Sequence, residues 1–148
     1  MTVLCDTNIL AYSVQPDDVR FHDVQRAIHL LLDEQHELVI LFQNITEFWN
    51  LSTRPKEKNG LGFTVDETRH HLQTLLGYFT ILIESSQTVQ EWMQLVITHQ
   101  VKGVQVHDAR LVAAMRANRM TQILTYNGKD FKRYTGITTL TPADVLAA

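Results

Sequence analysis

The stretch VLCDTNIL, residues 3–10, contains the pattern that decides the fold. Val3, Leu4 and Cys5 form a short apolar run, which indicates a buried β-strand, and Asp6 follows that run directly. Burying a carboxylate costs several kcal/mol unless a partner compensates its charge. The sequence therefore poses the question of which groups lie next to Asp6.

Strand-like and helix-like segments alternate along the rest of the chain. Short apolar runs predict four further strands, over residues 38–42, 79–83, 122–125 and 137–140. Helical spacing of apolar residues predicts five helices, over residues 19–35, 45–51, 64–76, 88–99 and 109–118. Apolar strands separated by helices are typical of a parallel sheet that is covered on both faces. We therefore expect a three-layer α/β/α fold with a central, mostly parallel sheet of four or five strands.

Length, charge and cysteine content restrict the class of protein. At 148 residues the chain is expected to form a single domain over residues 1–148. Its net charge of −3 argues against binding nucleic acid by bulk electrostatics, although a local basic rim is compatible with it. Cys5 is the only cysteine, which excludes an internal disulfide and a Cys-x-x-Cys zinc pair. The single cysteine suits a reducing compartment, so we expect a cytoplasmic protein, and no apolar run is long enough to span a membrane.

Four acidic residues stand directly after a predicted strand or near the start of a predicted helix: Asp6, Glu47, Asp108 and Asp130. The carboxyl ends of parallel strands meet at one edge of a sheet, so we expect these side chains to converge. Carboxylates that lie close together repel one another, and a divalent cation removes that conflict. Oxygen ligands favour Mg²⁺ or Mn²⁺, whereas the histidines lack the spacing of zinc ligands.

Each of these acids also has a local explanation. Asp6 and Asp108 could cap the helices that follow them, Glu47 could form a capping box with Asn44, and Asp130 lies in ordinary turn composition. Asp108, however, shares a helical stripe with three apolar residues, which turns it towards the interior: Leu111, Val112 and Met115.

Four segments, taken in order, resemble the motifs of PIN-domain ribonucleases, particularly VapC-type toxins of type II toxin–antitoxin systems: LCDTNIL, NITEFWN, VHDARLVAAM and ILTYNGKDF. The resemblance implies a metal-dependent endoribonuclease with Asp6, Glu47 and Asp108 as its acidic triad. It also implies a cognate antitoxin as protein partner. Asn127 and Asp130 remain alternatives for the fourth position, which varies in the family.

The hypothesis is hydrolysis of RNA by a water molecule that a metal ion activates. Asp6 and Asp108 would hold the principal Mg²⁺ or Mn²⁺, and Glu47 would orient the water or help to hold a second ion. Asp130 would act through water at the edge of the site.

Polar neighbours of these acids would support them. Thr7 and Asn8 are expected to fix Asp6 by hydrogen bonds, and Asn127 is expected to act in the same supporting way. For Thr7 and Asn8, capping of a short helix is an equally good and compatible explanation.

RNA binding would also need cations and aromatic rings around the acidic centre. The residues that we expect to contact the substrate are Arg54, Arg110, Lys129 and Tyr126. Solvated surface is the alternative for each of the cations. The helices after Asp17 and after Thr64 carry apolar faces, which would serve a homodimer or an antitoxin segment if they are not simply core.

Two other classes of protein remain as alternatives. A catalytically silent PIN-like module would bind RNA or protein without cutting. A metal-dependent phosphatase of the haloacid-dehalogenase type also has an Asp after its first strand, but it needs a second acid where Asn8 stands.

Overall fold

Five parallel strands form the centre of the protein in the computed structural model, which describes residues 1–148. The strands are β1 (Thr2–Cys5), β2 (Glu37–Leu41), β3 (Thr80–Leu82), β4 (Gln122–Leu124) and β5 (Thr138–Leu140). Their order across the sheet is β3-β2-β1-β4-β5, and every neighbouring pair is parallel. The predicted three-layer α/β/α architecture is therefore confirmed, with five strands.

Seven α-helices connect and cover these strands. They are α1 (Thr7–Tyr12), α2 (Phe21–Asp33), α3 (Phe42–Thr53), α4 (Val65–Leu75), α5 (Ser86–Thr98), α6 (Val106–Ala117) and α7 (Pro142–Ala147). Short 3-10 turns occupy Lys56–Lys58, Gly103–Gln105 and Gly128–Phe131. None of the helices has both the length and the apolar character needed to cross a bilayer.

Side chains alternate along the strands between two hydrophobic cores, one on each face of the sheet. On β1, Val3 and Cys5 belong to the core that includes α1 and α2, whereas Leu4 belongs to the core that includes α6. All three side chains are fully buried. Burial on both faces explains why β1 is apolar at every position and does not alternate with polar residues.

The starts of two helices lie three residues earlier than predicted. Helix α3 begins at Phe42 after an N-cap at Leu41, and α6 begins at Val106 after an N-cap at Gln105. Neither Leu41 nor Gln105 is a favoured capping residue, so the sequence carries no strong start signal at either place. As a result Asp108 is the third residue of α6, and the alternative explanation that it caps this helix is wrong.

The strand order reverses between β1 and β4. From β1 the chain first adds β2 and β3 on one side, and later adds β4 and β5 on the other side. In open α/β sheets, ligands bind beyond the carboxyl ends of the strands at such a reversal. Asp6 follows β1 and Thr125 follows β4, so both lie at this position.

Candidate active site

Asp6 is compensated by neutral hydrogen-bond donors. Its side chain is only 8% exposed. One carboxylate oxygen, Oδ1, accepts a hydrogen bond from the backbone N–H of Thr7 at 2.8 Å. The other oxygen, Oδ2, accepts from Asn8 Nδ2 at 3.2 Å and from Thr125 Oγ1 at 2.8 Å. These contacts also make Asp6 the N-cap of α1, as its local explanation predicted.

Thr125 was missed by sequence reasoning, although it holds this network together. Its hydroxyl donates to Asp6, and the same oxygen accepts from the backbone N–H of Asn127 at 3.0 Å. The backbone N–H of Tyr126 donates to Asn8 Oδ1 at 3.1 Å. Asn127 therefore contributes through its backbone, while its side chain is exposed. The sequence signal that could have identified Thr125 is a residue with a hydroxyl group directly after β4, at the sheet edge where Asp6 was predicted to lie.

Asn44 joins the end of β2 to the same network. Its side-chain carbonyl accepts from the backbone N–H of Leu41 at 2.8 Å, and its amide donates to Thr7 Oγ1 at 3.1 Å. Asn44 is fully buried, and its side chain links the backbone at the start of α3 to Thr7 of α1. A capping box between Asn44 and Glu47 is therefore wrong, because Asn44 itself lies in the first turn of the helix.

The four predicted acids influence one another electrostatically. Burial raises the pKa of Asp108 to about 6, with further increases from Asp6, Asp130 and Glu47. The pKa of Asp6 is also raised, mainly by burial and in addition by Asp130, while its three donors oppose the shift. The end of β1, helix α3, the first turn of α6 and the turn after β4 thus bring these acids, here called the acidic cluster, into one electrostatic environment.

Glu47 has both acidic and basic neighbours. Partial desolvation and the charge of Asp6 raise its pKa, whereas Gln43, His107 and Arg110 act in the opposite direction. It lies in a cleft of about 430 Å³ whose lining residues come from α3 and α6: Phe42, Gln43, Thr46, Glu47, His107 and Arg110. Gln43 Nε2 donates to the backbone carbonyl of His107 at 3.0 Å and so fixes the two helices against each other.

The donor set fits a hard cation that retains water. No three His, Cys, Asp or Glu side chains are arranged to hold a metal ion together. The acidic cluster is therefore not a complete protein cage, and an ion bound there would take at most two of its carboxylates. Mg²⁺ commonly binds through one or two carboxylates and keeps several waters. At Asp108 no hydrogen bond or cation opposes the increase in pKa, so its carboxylate is free to bind an ion.

Two of the predicted substrate-binding residues, Arg110 and Arg54, form polar contacts within the protein. Arg110 reaches the Glu47 cleft and forms an ion pair of 3.2 Å with Glu84. Arg54 is half-buried and donates to the carbonyl of Asn59 at 3.1 Å, so it holds its own loop.

The other two predicted substrate-binding residues follow β4. Lys129 is exposed in the turn that contains Asp130. Tyr126 packs edge-to-face on Tyr12, with ring centroids 5.4 Å apart.

Solved structures of toxin–antitoxin proteins share this fold. VapBC-1 from nontypeable Haemophilus influenzae aligns with a TM-score of 0.71 and 16% identity, over 97% of this chain and 99% of that chain. VapBC2 from Rickettsia felis, bound to a DNA fragment from its promoter, aligns with a TM-score of 0.71 and 16% identity, over 95% of this chain and 98% of that chain. VapC20 from Mycobacterium tuberculosis, a toxin that cleaves the sarcin–ricin loop, aligns with a TM-score of 0.62 and 16% identity, over 89% of this chain and 95% of that chain.

Sequence comparison is informative at the level of the family. No curated protein is similar enough in sequence to count as a match. The sequence profile of the PIN domain, however, matches residues 3–137, which run from the second residue of β1 to the residue before β5 and include all four acids. The chain belongs to the PIN domain family.

Proposed function

We propose that this protein is an endoribonuclease that hydrolyses RNA phosphodiester bonds with the help of Mg²⁺ or Mn²⁺. The observation that carries the proposal is the acidic cluster at the carboxyl ends of β1 and β4. Burial and mutual repulsion raise the pKa of three of its members, Asp6, Glu47 and Asp108. Strongly perturbed titratable groups in a cleft favour a functional site over a merely structural one.

Asp6 and Asp108 are the residues that we assign to the cation. Asp6 is held rigidly by three donors, and Asp108 presents a carboxylate without a competing partner. A bound divalent cation would supply positive charge to the phosphoryl oxygens and make an attacking water more acidic. Thr7, Asn8, Thr125 and the backbone of Asn127 keep the Asp6 carboxylate in place, which is how surrounding hydrogen bonds orient metal ligands.

Glu47 and Asp130 would act on the water and on the edge of the site. Glu47 lies in the open cleft beside His107 and Arg110, where its carboxylate can orient a water molecule for attack on phosphorus. Asp130 lies in the exposed turn after β4 and would act through water. Arg110, Lys129 and Tyr126 would contact the RNA, with Arg110 directed at a phosphate.

We further propose a toxin role of the VapC type, in the cytoplasm, with an antitoxin as partner. The likeness to VapBC structures supports this role. An apolar groove of about 430 Å³ between α2 and α4 is a suitable seat for an amphipathic antitoxin segment, and its larger apolar residues are Phe21, Ile28, Phe63, Leu75 and Tyr78. Both helices were expected from sequence to carry such faces.

A homodimer is the second assembly that we propose. Val89, Met93 and Ile97 are spaced four residues apart on α5 and are 58%, 51% and 66% exposed. We call this row of side chains the α5 stripe. Soluble proteins seldom leave such a contiguous apolar surface open to water, so a second copy of the chain is the occupant that we assign to it.

Cleavage of a defined RNA pool with Mn²⁺, with Mg²⁺ and with EDTA tests the catalytic proposal. We expect cleavage with either cation, none with EDTA, and none by a double variant with Asp6→Asn and Asp108→Asn. The matched control carries Asp17→Asn and Asp33→Asn, which change two exposed acids that do not belong to the cluster. Cleavage by the double variant would overturn the mechanism. Tight RNA binding without cleavage under every cation would favour the catalytically silent module.

A further inference from the structure

A second cleft adjoins the acidic site on the other side of Arg110. It has a volume of about 270 Å³ and is lined by Glu84, Thr88, Val89, Trp92 and Arg110. Glu84 follows β3 and therefore lies at the same edge of the sheet as Asp6. Arg110 lines both this cleft and the Glu47 cleft, so the two are neighbours. We call the second cleft the base pocket.

Two of the residues that line the base pocket each have a buried polar atom without a hydrogen-bond partner. Thr88 is 2% exposed, and its hydroxyl makes no hydrogen bond. Glu84 accepts from Arg110 through Oε2 at 3.2 Å, but its Oε1 is buried and unpartnered. Buried polar atoms without partners cost stability, and native proteins leave few of them. A ligand that donates hydrogen bonds to Glu84 would recover that cost.

The remaining walls suit a flat group. The Trp92 indole N–H donates to the carbonyl of Val106 at 2.9 Å, which fixes the ring and leaves its apolar surface for the pocket. Aromatic rings of this kind stack on nucleobases. Together, an indole and a carboxylate form a site for a planar group with N–H donors on one edge.

We propose that the base pocket binds one guanine of the RNA substrate, next to the phosphate that is cut. The Glu84 carboxylate accepts from the N1–H and from the N2 amino group of guanine, and Trp92 contacts the ring. The Thr88 hydroxyl provides a further partner inside the pocket. Arg110 stands between the base and the acidic cluster and faces the intervening phosphate. The inference rests on the proposed function, because it names the substrate preference of the same site.

Guanine fits these groups better than the other three bases. A carboxylate has acceptors only, and its two oxygens together offer about four lone-pair sites. Guanine alone presents two adjacent donors on its Watson–Crick edge. Adenine and cytosine pair an amino group with an acceptor nitrogen, and uracil places its single N–H between two carbonyls. Each of these would bring an acceptor against Glu84, which is unfavourable.

Binding measured in EDTA separates this inference from catalysis. The probes are four fluorescein-labelled heptanucleotides of uridine that differ only at the central base, and the readout is fluorescence anisotropy. We expect the guanine probe to bind about tenfold more tightly than the others. Glu84→Gln and Thr88→Val should each reduce that preference, and Glu57→Gln, at an exposed site, is the matched control that should keep it. Sedimentation of each variant checks that its assembly is unchanged.

The outcomes distinguish the two proposals. A guanine preference in binding that is lost in the variants supports the base pocket even if no RNA is cut, in which case the catalytic proposal fails alone. Equal affinity of the native protein for all four probes overturns the base pocket even if cleavage occurs. A guanine preference that survives in both variants overturns it as well. Thr88→Val keeps the test valid if Glu84→Gln does not fold, because it replaces a hydroxyl that has no partner.

Discussion

The hydroxyl of Thr125 donates a hydrogen bond of 2.8 Å to the carboxylate of Asp6, although 119 residues separate the two in the chain. The contact joins the carboxyl ends of β1 and β4, where the strand order reverses. It orients a buried carboxylate with a neutral group, so the negative charge of Asp6 is not cancelled. That charge is what the proposed cation requires.

Replacing Thr125 with valine should weaken both the fold and the site. The change keeps the shape of a fully buried side chain but removes the donor to Asp6 and the acceptor for Asn127. We expect the free energy of unfolding to fall by about 1–3 kcal/mol in urea titrations. We also expect Mn²⁺ affinity by calorimetry to fall by about 10- to 100-fold. Thr121→Val, at an exposed position, is the control, and unchanged Mn²⁺ affinity in Thr125→Val would contradict the positioning role.

Stability without metal should depend on the pH through Asp108. Its pKa lies near 6 in the folded protein and near 3.8 in the unfolded chain, so the folded state binds the proton more tightly. Between these two values the free energy of unfolding must therefore decrease as the pH rises, and this contribution should level off above pH 6. Asp108→Asn removes that decrease. After allowance for solvent screening, we expect the variant to be more stable than the native protein by about 1 kcal/mol at neutral pH.

Thermal unfolding in EDTA and in Mg²⁺ measures this effect. Asp108→Asn should raise the melting temperature in EDTA at neutral pH and should show a smaller increase on addition of Mg²⁺, because a ligand of the ion is lost. Asp33→Asn, at an exposed acid of α2, should change neither value. Identical melting curves for Asp108→Asn and the native protein at pH 4 and pH 7 would contradict a repulsive cluster.

A charge in the α5 stripe should disrupt the homodimer. Met93→Glu places a carboxylate in the middle of the stripe, and the loss of one buried apolar side chain weakens association by about 10- to 100-fold. Sedimentation velocity at micromolar concentration should show a dimer for the native protein and a monomer for the variant. Val19→Glu changes an exposed valine that precedes α2 and should leave the dimer intact. A monomeric native protein would exclude this assembly.

Gly60 should be intolerant of a side chain because of a close backbone contact. A Cβ atom at this position would lie 1.9 Å from the carbonyl oxygen of Arg54. Gly136 provides the contrast, since a Cβ there meets nothing within 4 Å and only its φ of +78° opposes alanine. We expect Gly60→Ala to destabilise the protein by about 1–3 kcal/mol, and Gly136→Ala by about 1 kcal/mol.

Hydrogen exchange distinguishes these two causes. The backbone N–H of Gly62 donates to the Arg54 carbonyl at 2.9 Å, which is the group that the new methyl would displace. Gly60→Ala should therefore accelerate exchange of the Gly62 amide, and Gly136→Ala should not. Equal protection of that amide in both variants would show that the loop tolerates the methyl group without moving.

Local patterns in the sequence determined which segments became strands and which acids turned inward. The run 3–5 is apolar because both faces of β1 are buried, and that signal needs no knowledge of the partners of the strand. Asp108 was predicted to face the interior from its stripe with Leu111 and Met115, and both of these residues are buried. The starts of α3 and α6 were placed three residues late, because Leu41 and Gln105 are weak caps that no local pattern reveals.

Only the tertiary structure decided which side chains meet at the carboxyl edge. The roles of Thr125 and Asn44 depend on β4 and β2 lying on either side of β1, and strand order is a property of the whole sheet. The same holds for Glu84, whose carboxylate meets Arg110 of a distant helix. A carboxylate that follows a buried strand can be recognised from the sequence, because its burial is costly wherever it occurs. Its compensating partners cannot be recognised in this way, because they come from segments that the sheet brings together only on folding.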